Sequence, residues 1–397
     1  MKLQDLKSKG FINHLINKLN GDVYVVGGYI RDFLLKKENK DIDLIVRKID
    51  INTLISELKK FGRVDVVGKS FGVIKLKANE DGLEYDIALP RKEKPTGEGG
   101  HKGFEINSDK DIQLKDDLSR RDAKINSMAY SINRDKLIDP FGGLDDIKNK
   151  KMSITNSEAF GDDPLRMLRM IGFASRFDFT IEPKTMKMIQ QNAPKIKEIA
   201  GERMLVELDK IVKKGNARTG AQLLKDTGLY KEMFGSDLKQ SSIDRSPFEE
   251  VNTMGEFVFL LLKSITNTPA DVFKTKLRGD VSTEKEIMAL NRAFMIGDDS
   301  SNAKARAIVH NMFGLSPDSL KSKILPEKIK IAAGEFLSSK YPKSIKELAV
   351  NGNDLMNLGF KGKEIGDSLK ELLINIYSDK LKNNKEDLLD FLKNPKI

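Results

Sequence analysis

Two aspartates, Asp41 and Asp43, stand at i and i+2 in the run Asp-Ile-Asp-Leu-Ile-Val. That run alternates like a strand, so both carboxylates point the same way. Like charges side by side repel, and the arrangement is costly unless a cation lies between them. Hard oxygen donors suit Mg²⁺. A third carboxylate, Asp86, lies in a later strand pattern, Tyr85-Asp86-Ile87-Ala88-Leu89. If that strand pairs beside the first, three acids converge on one metal cluster, suited to an in-line phosphoryl displacement. The bland alternative is that Asp41 ends the turn Glu38-Asn39-Lys40 and Asp43 is a solvated strand residue. A lone D-x-D pair is most often that.

The preceding segment favours the chemical reading. Gly27-Gly28 follows a short apolar run, Val23 to Val26, and precedes a helix pattern from Ile30 to Leu35. Glycines there let a backbone approach a phosphate, and a helix N-terminus offers free N–H groups to it. Arg31 falls in the first turn, placed to meet the same anion, although an exposed surface arginine is the simpler reading. The turn and the acids together are more specific than either alone.

Val25-Val26-Gly27-Gly28-Tyr29-Ile30-Arg31-Asp32, followed by Lys40-Asp41-Ile42-Asp43, resembles the opening motif of the CCA-adding tRNA nucleotidyltransferases of the bacterial and eukaryotic class. Bacterial poly(A) polymerases are their close relatives. The resemblance implies a polymerase-β-like nucleotidyltransferase head with Asp41 and Asp43 as metal ligands and Asp86 as the third carboxylate. Arg120-Arg121-Asp122 with Ile125-Asn126-Ser127-Met128-Ala129 resembles the next family motif. By that resemblance Gly28, Arg31 and Arg121 steady a triphosphate and Asp122 contacts the ribose. Asp122 at a charged helix start is the structural alternative. Asp139 to Asp146 resembles the family's hinge.

Asp162-Asp163-Pro164-Leu165-Arg166-Met167-Leu168-Arg169 resembles the family's base-reading motif. Cytosine and adenine both present an amino donor beside an acceptor on the pairing edge, where uracil and guanine present a carbonyl. A carboxylate next to a guanidinium therefore matches C and A and mismatches U and G, each good paired contact discriminating by ~1–3 kcal/mol. Asp163 and Arg166 are expected to share one helix face, with Arg169 a turn further. Asp163 before Pro164 is also a strong helix start on its own. The family usually has Glu at the position of Asp162 and a third arginine at that of Gly172. In Gly201-Glu202-Arg203-Met204-Leu205-Val206-Glu207, which resembles a later family helix, Arg203 and Glu207 read as a helix-stabilising i,i+4 pair.

Around these motifs, residues 1–20 read as a basic helix. Strands are expected near 64–67, 73–77 and 83–89, and residues 91–118, charged and glycine-rich, as a long flexible loop. The chain is then almost wholly helical, with connections near 235–248 and 297–303. The expected fold is α+β: a mixed-sheet head with helices on one side (1–142), then a helical neck (143–212), body (213–340) and tail (341–397). The tail, from Ala349 to Leu389, resembles the family's C-terminal segment, and its lysines suit an RNA backbone.

Composition agrees. Across 397 residues the net charge is +10, which suits a polyanionic partner, and apolar residues make up 39%. The longest apolar run, Phe257 to Leu262, is far short of the ~20 residues a bilayer needs. Neither a membrane segment nor an export signal is expected, and the expected location is the cytoplasm. There is no cysteine, which excludes disulfides and thiol chemistry. The three histidines, His14, His101 and His310, are far apart, and the reading leaves no place for an HD phosphohydrolase domain. Ser70 replaces the second cation in the Lys69-Ser70-Phe71 segment where poly(A) polymerases carry paired cations, and the stretch from Arg91 to Lys115 is long and basic. The expected activity is addition of C, C and A to tRNA from CTP and ATP with Mg²⁺. The alternatives are an A-only or CC-only enzyme, a poly(A) polymerase, or a non-catalytic RNA-binding protein. No protein partner is inferred.

Overall fold

In the computed structural model, residues 3–67, 73–95, 104–296, 305–306, 308–310 and 322–393 are described. The Lys69-Ser70-Phe71 segment, the glycines of 97–103 and the polar patch near 297–303 lie outside them.

β-Branched runs form the strands where the alternation predicts them. Strand β1 (Asp22–Val26) pairs antiparallel with β2 (Ile42–Arg47), with Val26 opposite Asp43 and Tyr24 opposite Ile45. The hairpin β3 (Gly62–Val67) and β4 (Val73–Ala78) leads to β5 (Glu84–Ala88). With β8 (Ala129–Ser131) and β9 (Lys136–Ile138) they make one sheet in the order β3-β4-β5-β2-β1-β8-β9. Every pairing in it is antiparallel except β2 with β5, which sets Asp43 level with Asp86.

Period-two alternation decides what each face of this sheet does. Leu44 and Val46 of β2, Ile74 and Leu76 of β4 and Ile87 of β5 enter the large core. Helices α1 (Gly10–Asn17) and α3 (Ile51–Leu58) cover that face with Phe11, Ile12, Leu54 and Leu58. Phe11 meets the fully buried Tyr85 edge-on, ring centroids 4.8 Å apart. Ile45, one pleat from Asp43, lies on the opposite face in a smaller cluster with Tyr24, Val26 and the helix α4 (Leu114–Ser119). Helices therefore contact both faces, not the one side expected, because α4 caps the apolar part of the second face. The acids occupy the rest of that face.

Two further expectations need correction. The N-terminal basic stretch is broken into a 3₁₀ turn, Leu3–Ser8, and α1, with Lys9 extended between them. Residues 91–118 are not one loop. Strands β6 (Arg91–Pro95) and β7 (Phe104–Ser108) form an antiparallel ribbon, and α4 follows. Backbone pairing satisfies the ribbon's polar groups whatever its side chains, so composition alone did not reveal it.

After α5 (Gly143–Lys148), helices α6 (Ala159–Asp162), α7 (Leu165–Phe177), α8 (Pro183–Asn192), α9 (Gly201–Lys214), α10 (Ala217–Asp226) and α11 (Leu229–Phe234) complete a first compact unit, Met1–Gly235. Asp139 holds the turn into α5: its carboxylate accepts the N–H groups of Gly142, Gly143 and Leu144, and Gly142 sits at φ +83°.

The second unit, Ser236–Ile397, is helical among its described residues. The apolar run Phe257 to Leu262 lies in α13 (Met254–Leu262; α12 is Gln240–Asp244), where all six side chains are fully buried. It is a core helix, started by a capping box between Thr253 and Glu256 and packed on α15 (Val281–Ile296; α14 is Pro269–Val272) through Phe259 and Phe294. Helices α16 (Glu327–Ser338), α17 (Gly352–Asn357), α18 (Lys363–Tyr377) and α19 (Lys385–Lys393) form the C-terminal part. His310 donates or accepts at Tyr377 Oη, 2.8 Å away, and burial lowers its pKa. It packs against Phe336 and Tyr377, a core position. Among the described residues, no helix is long and apolar enough to cross a membrane.

Candidate active site

β1 ends in the Gly27-Gly28 turn, and α2 (Gly28–Leu34) begins there. Gly27 takes φ +70°, and a Cβ at this position would lie 2.8 Å from Arg121 Nη1 and 3.4 Å from Asp43 Oδ2. Only glycine allows both the backbone angle and the approach of these two side chains. The first glycine is thus the demanding one. Gly28 has ordinary geometry, 3.4 Å from Arg31 Nη2 by the same measure.

Asp43 and Asp86 project side by side from β2 and β5 into a cleft of about 850 Å³. Burial raises the Asp43 pKa; Arg121 opposes this, while Asp86 and Asp41 add to it. Asp86 is held by Lys75 of β4, whose Nζ donates to both its oxygens at 2.9 and 3.2 Å. Asp41 does not line the cleft. It lies exposed, one residue before β2, with its N–H on Asn39 Oδ1.

The cationic wall comes from the segment after α4. Arg120 and Arg121 share the fully buried Asp117 at 2.8 and 3.2 Å. Burial raises the Asp117 pKa, but the charges of Arg121 and Arg120 outweigh that, and the net shift is downward. Arg121 Nε is buried without a hydrogen-bond partner, and its side chain lines the cleft. Arg31 lines it too, yet it is only 5% exposed. It binds Asp32 through two nitrogens at 2.8 and 2.9 Å, donates to Asn126 at 2.6 Å and lies 4.8 Å from the Phe177 ring centroid. The anion-meeting role and the surface role both fit it poorly: its guanidinium is mainly structural, and Arg121 is the better-placed cation.

Helix α7 supplies the far wall. Asp163 has extended backbone, φ −137° and ψ 98°, and Pro164 takes the N-cap position. The helix starts one residue later than expected, so Asp163 and Arg166 do not share a helix face. Both line the cleft. Asp163 takes the Leu165 N–H at 3.2 Å and Arg203 Nη2 at 3.4 Å. Arg203 therefore faces Asp163 from α9 rather than forming the expected pair with Glu207, which instead accepts from Lys210 at 2.8 Å. Arg169 binds Asp122 Oδ2 through Nη2 at 2.6 Å and Nε at 2.7 Å. Asp122 is only 6% exposed. Burial pushes its pKa up, and the Arg169 charge with the Asn126, Arg169 and Ala123 hydrogen bonds brings it below the ordinary value. Its carboxylate is committed to protein groups, which leaves little of it for a ribose.

Three family models match in succession: the poly(A) polymerase head domain over residues 23–153, an RNA-binding segment described as the probable RNA and SrmB-binding site of polymerase A over 178–240, and a tRNA nucleotidyltransferase domain 2 over 327–392. The CCA-adding enzyme of Bacillus licheniformis is 29% identical over 95% of this chain and 95% of its own length. Along its length the chain is similar to the CCA-adding nucleotidyltransferases.

Solved CCA-adding enzymes share the fold. The Bacillus stearothermophilus CCA-adding enzyme in complex with CTP superposes with a TM-score of 0.77 at 23% identity, covering 100% of this chain and 98% of that one. The Thermotoga maritima CCA-adding enzyme complexed with tRNA gives 0.70 at 23%, covering 100% and 97%. CCA-adding nucleotidyltransferases are metal-dependent. The acid corner fits a cation on its own evidence. Asp43 is half-buried beside two other carboxylates, opposed first by Arg121 and then by Lys75. Lys75, Asn126, Phe173 and Arg203 were not singled out as site residues from sequence, and all but Lys75 line the cleft. Only Asn126 and Arg203 had a signal, as members of the quoted motifs.

Proposed function

We propose that the protein adds C, C and A to the 3′ end of tRNA from CTP and ATP, without a nucleic-acid template and in the cytoplasm. The observation that carries this is one cleft holding three things: the acid corner, the glycine turn with Arg121, and the Asp163–Arg166–Arg169 wall. Support comes from relatives whose names and structures specify CCA addition, CTP and tRNA. Residues 1–142 act as catalytic head, 143–212 as base-reading neck, 213–340 as body and 341–397 as RNA-gripping tail.

Arg121 and the α2 N-terminus hold the triphosphate. Asp163 accepts from the amino group of C or A, and Arg166 donates to the adjacent acceptor, while Arg203 fixes the carboxylate. Arg169, oriented by Asp122, supports that wall. The 3′-hydroxyl of the RNA attacks the α-phosphate, and pyrophosphate leaves. Asp43, with Asp86 once Lys75 yields it and Asp41 brought in from its exposed place before β2, would hold Mg²⁺, which would supply charge neutralisation at the reacting phosphates. The test is a tRNA lacking its terminal trinucleotide, incubated with CTP, ATP or both, with products resolved at one nucleotide. The expected products are +2 with CTP alone and +3 with both. A run of A residues, or none at all, overturns the reading.

A further inference from the structure

Asn126 is the one uncharged member of a polar chain, buried at its centre, that leaves helix α7 and returns to it. From Arg169 the chain passes to Asp122 at 2.6 Å, and from Asp122 Oδ1 to Asn126 Nδ2 at 2.8 Å. Asn126 Oδ1 then accepts from Arg31 Nη1 at 2.6 Å, and Arg31 grips Asp32 with two nitrogens. Asp32 lies 3.7 Å from Arg176, two turns along α7 from Arg169. Both ends of the chain are thus on the base-reading helix, and its middle is on the head, in α2 and the 3₁₀ turn Lys124–Asn126.

The chemistry fixes how Asn126 sits. A carboxylate only accepts and a guanidinium only donates, so the amide must turn its NH₂ to Asp122 and its oxygen to Arg31. No other residue type of this size serves both neighbours. Aspartate would set a second carboxylate against Asp122. At 7% exposure the pair is largely shielded, so a mismatch there is costly.

We propose that Asn126 is a positioning residue that couples the phosphate turn to the base-reading helix, and so sets nucleotide choice through the two elements it joins. α2 begins at the turn that holds phosphate, and α7 carries Arg166 and Arg169. The distance between these two elements determines whether a base whose triphosphate is held at one meets the side chains of the other. Misplacement by about 1 Å can cost on the order of 10²-fold in rate. A network satisfied at every member holds that distance; one broken at its centre releases it.

The inference rests on the proposed nucleotidyl transfer, and the test separates the two. Incorporation of C and of U into the shortened tRNA is measured for the wild type, Asn126→Asp, Asn126→Ala, and the exchange Asp122→Asn with Asn126→Asp, which restores one carboxylate and one carboxamide at the same pair. Asn126→Asp is expected to lower the CTP-over-UTP preference at least about tenfold and to reduce kcat more than it raises KM. The exchange is expected to recover at least about threefold of the preference, which a merely destabilised protein would not do. Where Asn126→Asp does not fold, Asn126→Ala reads the same preference and is expected to lower it. A preference within about twofold of wild type in the folded variants, or an exchange no better than the single change, overturns the coupling. A wild type that incorporates no C overturns the proposed function instead.

Discussion

Asp43 carries a conflict between stability and use. It is half-buried beside Asp86 and Asp41, and its raised pKa records the cost of charge there. Asp43→Asn removes that cost, so the metal-free protein should melt higher, while nucleotide incorporation is lost. Thermal melts in a chelator beside an incorporation assay check both halves; a lower melting temperature contradicts the electrostatic account. Arg166→Ala should instead leave incorporation of C measurable and admit U or G, with discrimination falling by the ~1–3 kcal/mol of one paired contact. Single-nucleotide incorporation rates decide it. Asp43 and the Gly27 turn could be read from sequence because their neighbours in the chain are their neighbours in space; Asp41, expected on the same strand as Asp43, falls one residue before it. Arg31 and Arg203 could not. The partners that bury or turn them, Asn126 with Phe177 and Asp163, are distant in the chain, whereas local rules pointed to solvent and to Glu207.

At the scale of elements, the turn between β1 and α2 is the point of least tolerance. Gly27→Ala puts a side chain at φ +70° and a methyl 2.8 Å from Arg121 Nη1. Backbone strain of about 1–3 kcal/mol and a displaced guanidinium should together raise the KM for CTP at least tenfold. Steady-state kinetics with melting as control tests this, and an unchanged KM would remove Arg121 from the triphosphate. In the second unit, Thr253→Ala breaks the capping box of α13 and should cost about 1 kcal/mol, read by denaturant midpoint at unchanged slope. The strands and their facing were accessible from alternation, since period two leaves only one way to put Leu44 and Val46 inward. The ribbon of β6 and β7 was hidden because the lysines and glutamate of 91–94 have no apolar period, and a ladder needs only backbone.

The molecule as a whole is basic, with a net charge of +10, and its C-terminal match is to a tRNA nucleotidyltransferase domain. Binding that depends on phosphate contacts releases counterions, so tRNA affinity should fall at least about tenfold between roughly 50 and 200 mM salt. CTP binding, with its few contacts, should fall far less. Filter binding and equilibrium dialysis across that range compare the two, and equal slopes would argue against a backbone-gripping tail. The α+β class could be inferred from the order of patterns, strands first and helices after. The division at Gly235–Ser236 was marked only by a polar break, because where one core ends is a matter of long-range packing.

The single parallel seam of the sheet has a consequence for assembly. β2 and β5 belong to stretches widely separated along the chain, and their closing edge brings two anions level. Long loop closure and mutual repulsion oppose that event together. A divalent ion binding as the seam forms would offset the repulsion during folding itself. Refolding after dilution from denaturant should therefore quicken when magnesium is present, and this acceleration should vanish in Asp43→Asn.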